Sequence, residues 1–266
     1  MYDYHTHSYY SDDGHAPISD MVEAAIDKGL KQIAVTDHYD PDYCAAGWSS
    51  SDLDFDSYFE ELTKATEKYK DKIKVIKGLE IGIQHGQTIE KCKKASLSHD
   101  YDFILGSFHC TEGFELSCGG FFDNRTLESA AQAFYQYTYE CIQSFGDFDV
   151  LGHINVIDRY APAIPESGCY INAVSEILSL LISNGKGIEL NTSSIRYGLG
   201  EHTTPTAEIL KLYRSLGGEI ITTGSDAHNP KHVGYRLDWA YEKLKSAGFR
   251  YITTFSRRKP EFIKIP

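Results

Sequence analysis

The sequence lacks any uninterrupted apolar run of about 18 residues, so no transmembrane helix is expected. Its N-terminus turns polar within five residues, which argues against a secretory signal and for a cytoplasmic protein. Basic charge is scarce: 26 Lys and Arg stand against 38 Asp and Glu, a formal net charge of −12. That balance excludes nucleic acid as an expected partner, because a phosphate backbone is gripped by clustered cations. The six cysteines (Cys44, Cys92, Cys110, Cys118, Cys141 and Cys169) include no CxxC pair and form no compact framework. They read as free thiols in a reducing compartment. No linker or repeat divides the chain, so a single domain over 1–266 is expected. A hydrophobic content of 41% is enough for a sizeable core.

What is present is a steady alternation of strand-like and helix-like runs. After a short opening strand, strands are expected at 32–36, 74–82, 103–108, 150–152, 187–191 and 219–223, with a closing strand at 251–255. Helices are expected at 20–28, 56–69, 88–98, 126–144, 172–184, 205–216 and 236–247. Pro17 and Ser19 mark the first helix start, Pro205 stands near a first helical position, and Gly29, Gly185 and Gly248 stand where helices stop. A polar loop fills 41–54. Such alternation predicts parallel strands in a barrel or a doubly wound sheet.

The polar residues decide for the barrel. The opening strand ends in His5-Thr6-His7, and residues two apart on a strand share a face. Asp13-Gly14 follows in a polar turn. Further on, His38, Glu80, His109, His153, and Asp226 with His228 each stand at or near the C-terminal end of a strand. In α/β barrels that end carries the site. Spread along an open sheet these groups could not meet; around a ring they can. A lone strand-end histidine is more often a hydrogen-bonded core residue than a ligand. A whole set at equivalent places has no structural explanation. The other histidines, His15, His85, His99, His202 and His232, read as loop or helix-end residues. Imidazole with carboxylate suits Zn, Fe or Mn and metal-assisted hydrolysis.

These motifs, with Thr36-Asp37-His38, Gly78-Leu79-Glu80, Gly106-Ser107-Phe108-His109, Gly152-His153 and Ser225-Asp226-Ala227-His228, resemble the PHP (polymerase and histidinol phosphatase) family. The resemblance implies a distorted (β/α)7 barrel of the PHP type with three divalent metal ions, Zn, Fe or Mn. It implies one ion on His5, His7, Glu80 and Asp226, and a second on Glu80, His109 and His153, with Glu80 bridging. A third would rest on Asp13, His38 and His228; Asp12 is the alternative to Asp13. Glu80, Asp226 and His228 would stand closest to the chemistry. Arg159, Arg196 and the tail Ser256-Arg257-Arg258-Lys259-Pro260 resemble the histidinol-phosphatase branch, which implies that the two arginines grip substrate phosphate.

The implied activity is hydrolysis of L-histidinol phosphate to L-histidinol and phosphate, a step of histidine biosynthesis. The implied partner is thus a small phosphate ester. Its amine and imidazole call for acidic residues at the mouth, for which Asp158, Glu112, Glu115 and Glu201 are candidates. Three alternatives stay open: a PHP phosphatase for another phosphomonoester, an amidohydrolase-type metal hydrolase, and a non-catalytic module of the kind found in polymerases. The extra Thr36-Asp37-His38 and the histidine after Asp226 favour the three-metal pattern, and the full ligand set favours catalysis. Oligomeric state is not legible.

Overall fold

The computed structural model describes residues 1–42, 53–200 and 202–265. The elements in chain order are β1 (Tyr2–Asp3), α1 (Ile18–Asp27), β2 (Gln32–Val35), β3 (His38–Tyr39), α2 (Phe55–Tyr69), β4 (Lys74–Gly82) and α3 (Thr88–Ser96). Then follow β5 (Phe103–Ser107), β6 (Cys110–Thr111), β7 (Phe114–Glu115), α4 (Leu127–Ser144), β8 (Val150–Leu151), α5 (Ile157–Tyr160) and α6 (Ile171–Ser183). The chain ends with β9 (Gly187–Asn191), α7 (Ala207–Ser215), β10 (Ile221–Gly224), α8 (Leu237–Ser246), β11 (Tyr251–Ser256) and β12 (Lys259–Lys264).

Seven parallel strands run in the order β1-β2-β4-β5-β8-β9-β10. Register follows from pairs such as Gln32 against Lys74, Gly78 against Phe103 and Ile188 against Ile221. The ring closes between its ends: the Tyr4 N–H donates to the Thr223 carbonyl (2.9 Å), and the Asp226 N–H to the His5 carbonyl (2.8 Å). The expected (β/α)7 barrel is therefore what the chain forms. One strand is interrupted. β2 stops at Thr36-Asp37, where the Tyr58 hydroxyl takes the Asp37 N–H (3.1 Å), and the chain resumes as β3 beside Glu80.

The helices cover the outside of the ring. α1 turns Ile18, Met21, Val22 and Ala25 inward at helical spacing, and all four are buried. α2, α4 and α7 are capped by Asp54, Thr126 and Thr206, whose side chains accept N–H groups of the first turn. Pro205 thus lies before the cap, not at the first helical position, because Thr206 takes that role. Gly29 and Gly248 follow their helices with φ of 67° and 93°, a conformation open to glycine. The polar loop expected at 41–54 lies mostly in 43–52, outside the described residues, as does Cys44. Among the described residues no helix is long and apolar enough to cross a membrane.

The expectation of a closing strand at 251–255 is corrected. Among the described residues β11 pairs only with β12, as an antiparallel hairpin outside the ring. Both edges of β10 are already taken, by β9 and by the β1 end. The hairpin instead plugs the N-terminal mouth. Phe255 enters beside Tyr4 and Phe103, with ring centroids 6.4 and 5.1 Å away. Its turn is fastened to the residues preceding β5 and β8: the Arg257 N–H donates to Asp102 (2.9 Å) and Arg258 to Asp149 (2.5 Å). The barrel is therefore filled by aromatics below and left to polar groups above.

Candidate metal centre

At the C-terminal mouth the polar strand ends converge. Glu80, fully buried on β4, is the hub. Its Oε2 lies 3.1 Å from His5 Nε2, 3.5 Å from His7 Nε2 and 3.0 Å from His38 Nδ1. Its Oε1 faces the other way, 3.5 Å from His109 Nε2 and 3.3 Å from His153 Nε2. Asp226 Oδ1 lies 3.7 Å from His5 Nε2, 3.5 Å from His7 Nε2 and 3.6 Å from His228 Nδ1. Asp13 completes the far side, 3.1 Å from His228 Nε2 and 3.8 Å from His38 Nε2. Asp12 lines the same cavity. All nine expected ligand residues thus occupy one cluster.

Within it, ring nitrogens and carboxylate oxygens converge to metal-holding distance in four groups: His5, His7 and Glu80; His5, His153 and Asp226; His38, Glu80 and His109; and His7, His38 and His228. The groups overlap, so His5, His7 and His38 each serve two neighbourhoods where the motif reading gave each one. Several rings are anchored from behind. His5 Nδ1 is 2.7 Å from Glu189, His109 Nδ1 2.8 Å from Asp40, and His7 Nδ1 3.2 Å from Ser11. Each anchor leaves the opposite nitrogen facing the cluster.

Burial and charge set the protonation of the cluster. Burial opposes ionisation of Glu80, but the imidazoles of His5, His38 and His109 hold its carboxyl well below the usual range. Asp226 is likewise held low against burial, by His5, His7 and Arg159. Burial drives the His7 imidazole well down, reinforced by His228 and His38. His38 rises to about 9 although burial opposes it, because Glu80 and Asp13 face it.

The two arginines are placed differently. Arg159 lines the cavity, over the Tyr197 ring, and its Nη2 donates to Ser193 (2.6 Å) and Asp226 (3.3 Å). Its buried Nε has no hydrogen-bond partner. Arg196 stands behind the site, donating to the main-chain carbonyls of Ser225 (2.8 Å) and Asp226 (2.7 Å). Those bonds clasp a left-handed residue, for Asp226 has φ of 54°. Of the acidic candidates, Glu115 lines the cavity of about 390 Å³. Glu112 pairs with Arg125 (2.5 Å), and buried Asp158 with His202 (2.8 Å). His202, read as a plain loop residue, is therefore a structural partner. Glu201 lies outside the described residues.

Sequence reasoning passed over the anchoring groups. Glu189, Asn191 and Ser193 alternate along and beyond β9, and a period of two carried the signal: a glutamate inside a strand buried on both faces must meet polar groups. Asp40, two residues past His38, carried the same signal.

The PHP domain family matches residues 3–193. A histidinol-phosphatase of Lactococcus lactis is 30% identical over 97% of this chain and 95% of its own length. A probable histidinol-phosphatase of Clostridium acetobutylicum is 30% identical over 94% of this chain and 95% of its own. Among solved structures, the Lactococcus lactis histidinol phosphate phosphatase complexed with zinc, L-histidinol and phosphate superposes with a TM-score of 0.88, at 30% identity over 98% of both chains. A putative histidinol phosphatase of Listeria monocytogenes, 20% identical and covering 90% of this chain and 99% of its own, shares the fold with a TM-score of 0.77. With its strand-end imidazoles and carboxylates gathered round Glu80, a family match over residues 3–193 and a relative 30% identical over nearly its whole length, the chain belongs to the PHP domain family.

Proposed function

We propose that the chain is a metal-dependent phosphomonoesterase, acting as one domain, that hydrolyses L-histidinol phosphate to L-histidinol and phosphate. The carrying observation is the convergence of six imidazoles on the two oxygens of Glu80, Asp226 and Asp13 at one barrel mouth. The substrate follows from the Lactococcus lactis relative, alike over the whole chain and solved with histidinol and phosphate.

The donor set fits divalent ions. Buried His7 Nε2 has no hydrogen-bond partner, yet two carboxylate oxygens face it at 3.5 Å. Imidazole and carboxylate together suit Zn, Fe or Mn. His5, His7, Glu80 and Asp226 would hold one ion, Glu80, His109 and His153 a second, and Asp13, His38 and His228 a third. When bound, the ions supply Lewis acidity toward the phosphate and make a nucleophile available at neutral pH. The chain's residues do the rest. Arg159 offers its unpartnered Nε to the phosphate from the cavity wall. Arg196 adds positive charge behind Asp226 and keeps that ligand's backbone in place. Glu115 stands in the cavity to receive the cationic end of the substrate. Asp226 and His228 line the same cavity as Arg159 and would face the ester.

The test is phosphate release from L-histidinol phosphate against a panel of nucleotides, sugar phosphates and phosphotyrosine, on protein with its metals counted. Preference for histidinol phosphate by at least tenfold in kcat/KM is expected. Equal or better turnover of another ester reassigns the substrate, and no turnover of any ester with any divalent ion removes the activity.

A further inference from the structure

Every ring strand except β9 ends in a proposed ligand, counting β3 as the continuation of β2. β9 instead carries Glu189, fully buried inside the barrel. Its Oε1 lies 2.7 Å from His5 Nδ1. Its Oε2 accepts the His153 N–H at 3.0 Å and the Asn191 amide at 3.1 Å. One carboxylate thus touches two proposed ligand residues, on β1 and β8, through a side chain and a main chain. Space is reserved for it: a Cβ at Gly224 would stand 2.1 Å from Glu189 Oε1 and 2.4 Å from the His5 Cβ.

We propose that Glu189 is a positioning residue for the metal centre, which accepts the Nδ1 proton of His5 and so keeps the Nε2 lone pair aimed at the ligand cluster. Both ring nitrogens face carboxylates, Nδ1 Glu189 at 2.7 Å and Nε2 Glu80 at 3.1 Å. A cation held between His5, Glu80 and Asp226 would take the Nε2 lone pair, which leaves the ring proton on Nδ1, where Glu189 accepts it at the shorter distance. With Nδ1 so bound, His5 Nε2 is directed to Glu80 Oε2 at 3.1 Å and Asp226 Oδ1 at 3.7 Å. A partner of this kind fixes ring orientation and strengthens the imidazole as a ligand. Gly224 is the sequence counterpart, because any side chain there would displace the pair.

This inference rests on His5 being a metal ligand, so the experiment separates the two. Zinc affinity of the full chain is measured by chelator competition for the unmodified protein, Glu189→Gln, Glu189→Asp and His5→Ala, with metal-free melting temperatures alongside. Glu189→Gln keeps the shape but sets an amide against donors; Glu189→Asp keeps the charge but withdraws it by one methylene. Both are expected to weaken zinc binding roughly 10- to 100-fold, the range typical of such outer partners, while the metal-free melting temperature stays near that of the unmodified protein. Unchanged zinc affinity in Glu189→Gln overturns the proposal, as does a lowered metal-free melting temperature with unchanged zinc affinity. Unmodified affinity in Glu189→Asp overturns positioning in favour of charge alone. If His5→Ala also binds zinc normally, the ligand reading itself fails.

Discussion

Glu80 divides its two oxygens between two sets of imidazoles, and the consequence is measurable. Oε2 faces His5, His7 and His38, while Oε1 faces His109 and His153. Glu80→Gln preserves the volume but gives each set a neutral neighbour, one of them a donor. Metal counting on the purified variant is expected to show more than one ion lost, and kcat/KM to fall at least about 100-fold. Loss of a single ion would mean that Glu80 serves one site only. Arg159→Ala is a different kind of change. It leaves every proposed ligand in place and removes a cavity-facing guanidinium whose contact with Asp226 is long, at 3.3 Å, so KM for the ester should rise about tenfold or more, the loss of a charged hydrogen bond, with at most a small change in metal content. Arg196→Ala releases the carbonyls of Ser225 and Asp226, so metal affinity should fall together with kcat/KM; unchanged metal affinity would return Arg196 to a purely phosphate-facing role. These residues differ in how legible they were. The HxH at His5 and His7 and the Asp226-Ala227-His228 triplet announce themselves by spacing. The two arginines look alike in sequence, each a few residues past a strand. Only the fold shows one guanidinium in the cavity wall and the other bound to a left-handed turn.

At the level of elements, the alternation of strands and helices was readable because parallel strands buried on both faces are apolar runs and the covering helices are amphipathic. The 74–82 run is strand throughout, and the 187–191 run likewise. Three features escaped. At the break of β2 the Asp37 N–H is taken by Tyr58, 21 residues on in α2. The small β6–β7 hairpin sits in a glycine- and aromatic-rich segment with no clear period. The C-terminal hairpin looked like another ring strand because strand propensity says nothing about which edge is open. Its packing gives an expectation of its own. Phe255 is almost fully buried against Tyr4 and Phe103 at the end of the barrel remote from the ligands. Phe255→Ala should cost about 3–5 kcal/mol of stability in chemical denaturation, with zinc bound per folded molecule unchanged. A zinc deficit in the folded variant would show that the plug and the metal centre are coupled through the strands.

At the scale of the whole molecule, the ring is a device for bringing distant residues together. His5 and His228 lie 223 positions apart in sequence, yet both reach Asp226 Oδ1 within 3.7 Å. The proposed ligand set, drawn from six strands of the ring, comes together only when all of them are in register, so the unfolded chain has nothing comparable to offer an ion. Any ion held there stabilises the fold by mass action, by about 4 kcal/mol for each site at a thousandfold excess over its dissociation constant. A chain of this size gains roughly 2 °C of melting temperature for each kcal/mol, so each ion should contribute about 8 °C. Calorimetry of the loaded protein before and after chelation, with metal counted at each step, is expected to show that drop, and to show it reversed by zinc. The Glu80→Gln variant supplies the internal control. If its two oxygens hold two ions, chelation should move the variant's melting temperature far less than that of the unmodified chain. An equal shift in both would mean that the ions which stabilise the barrel are held by other groups than Glu80.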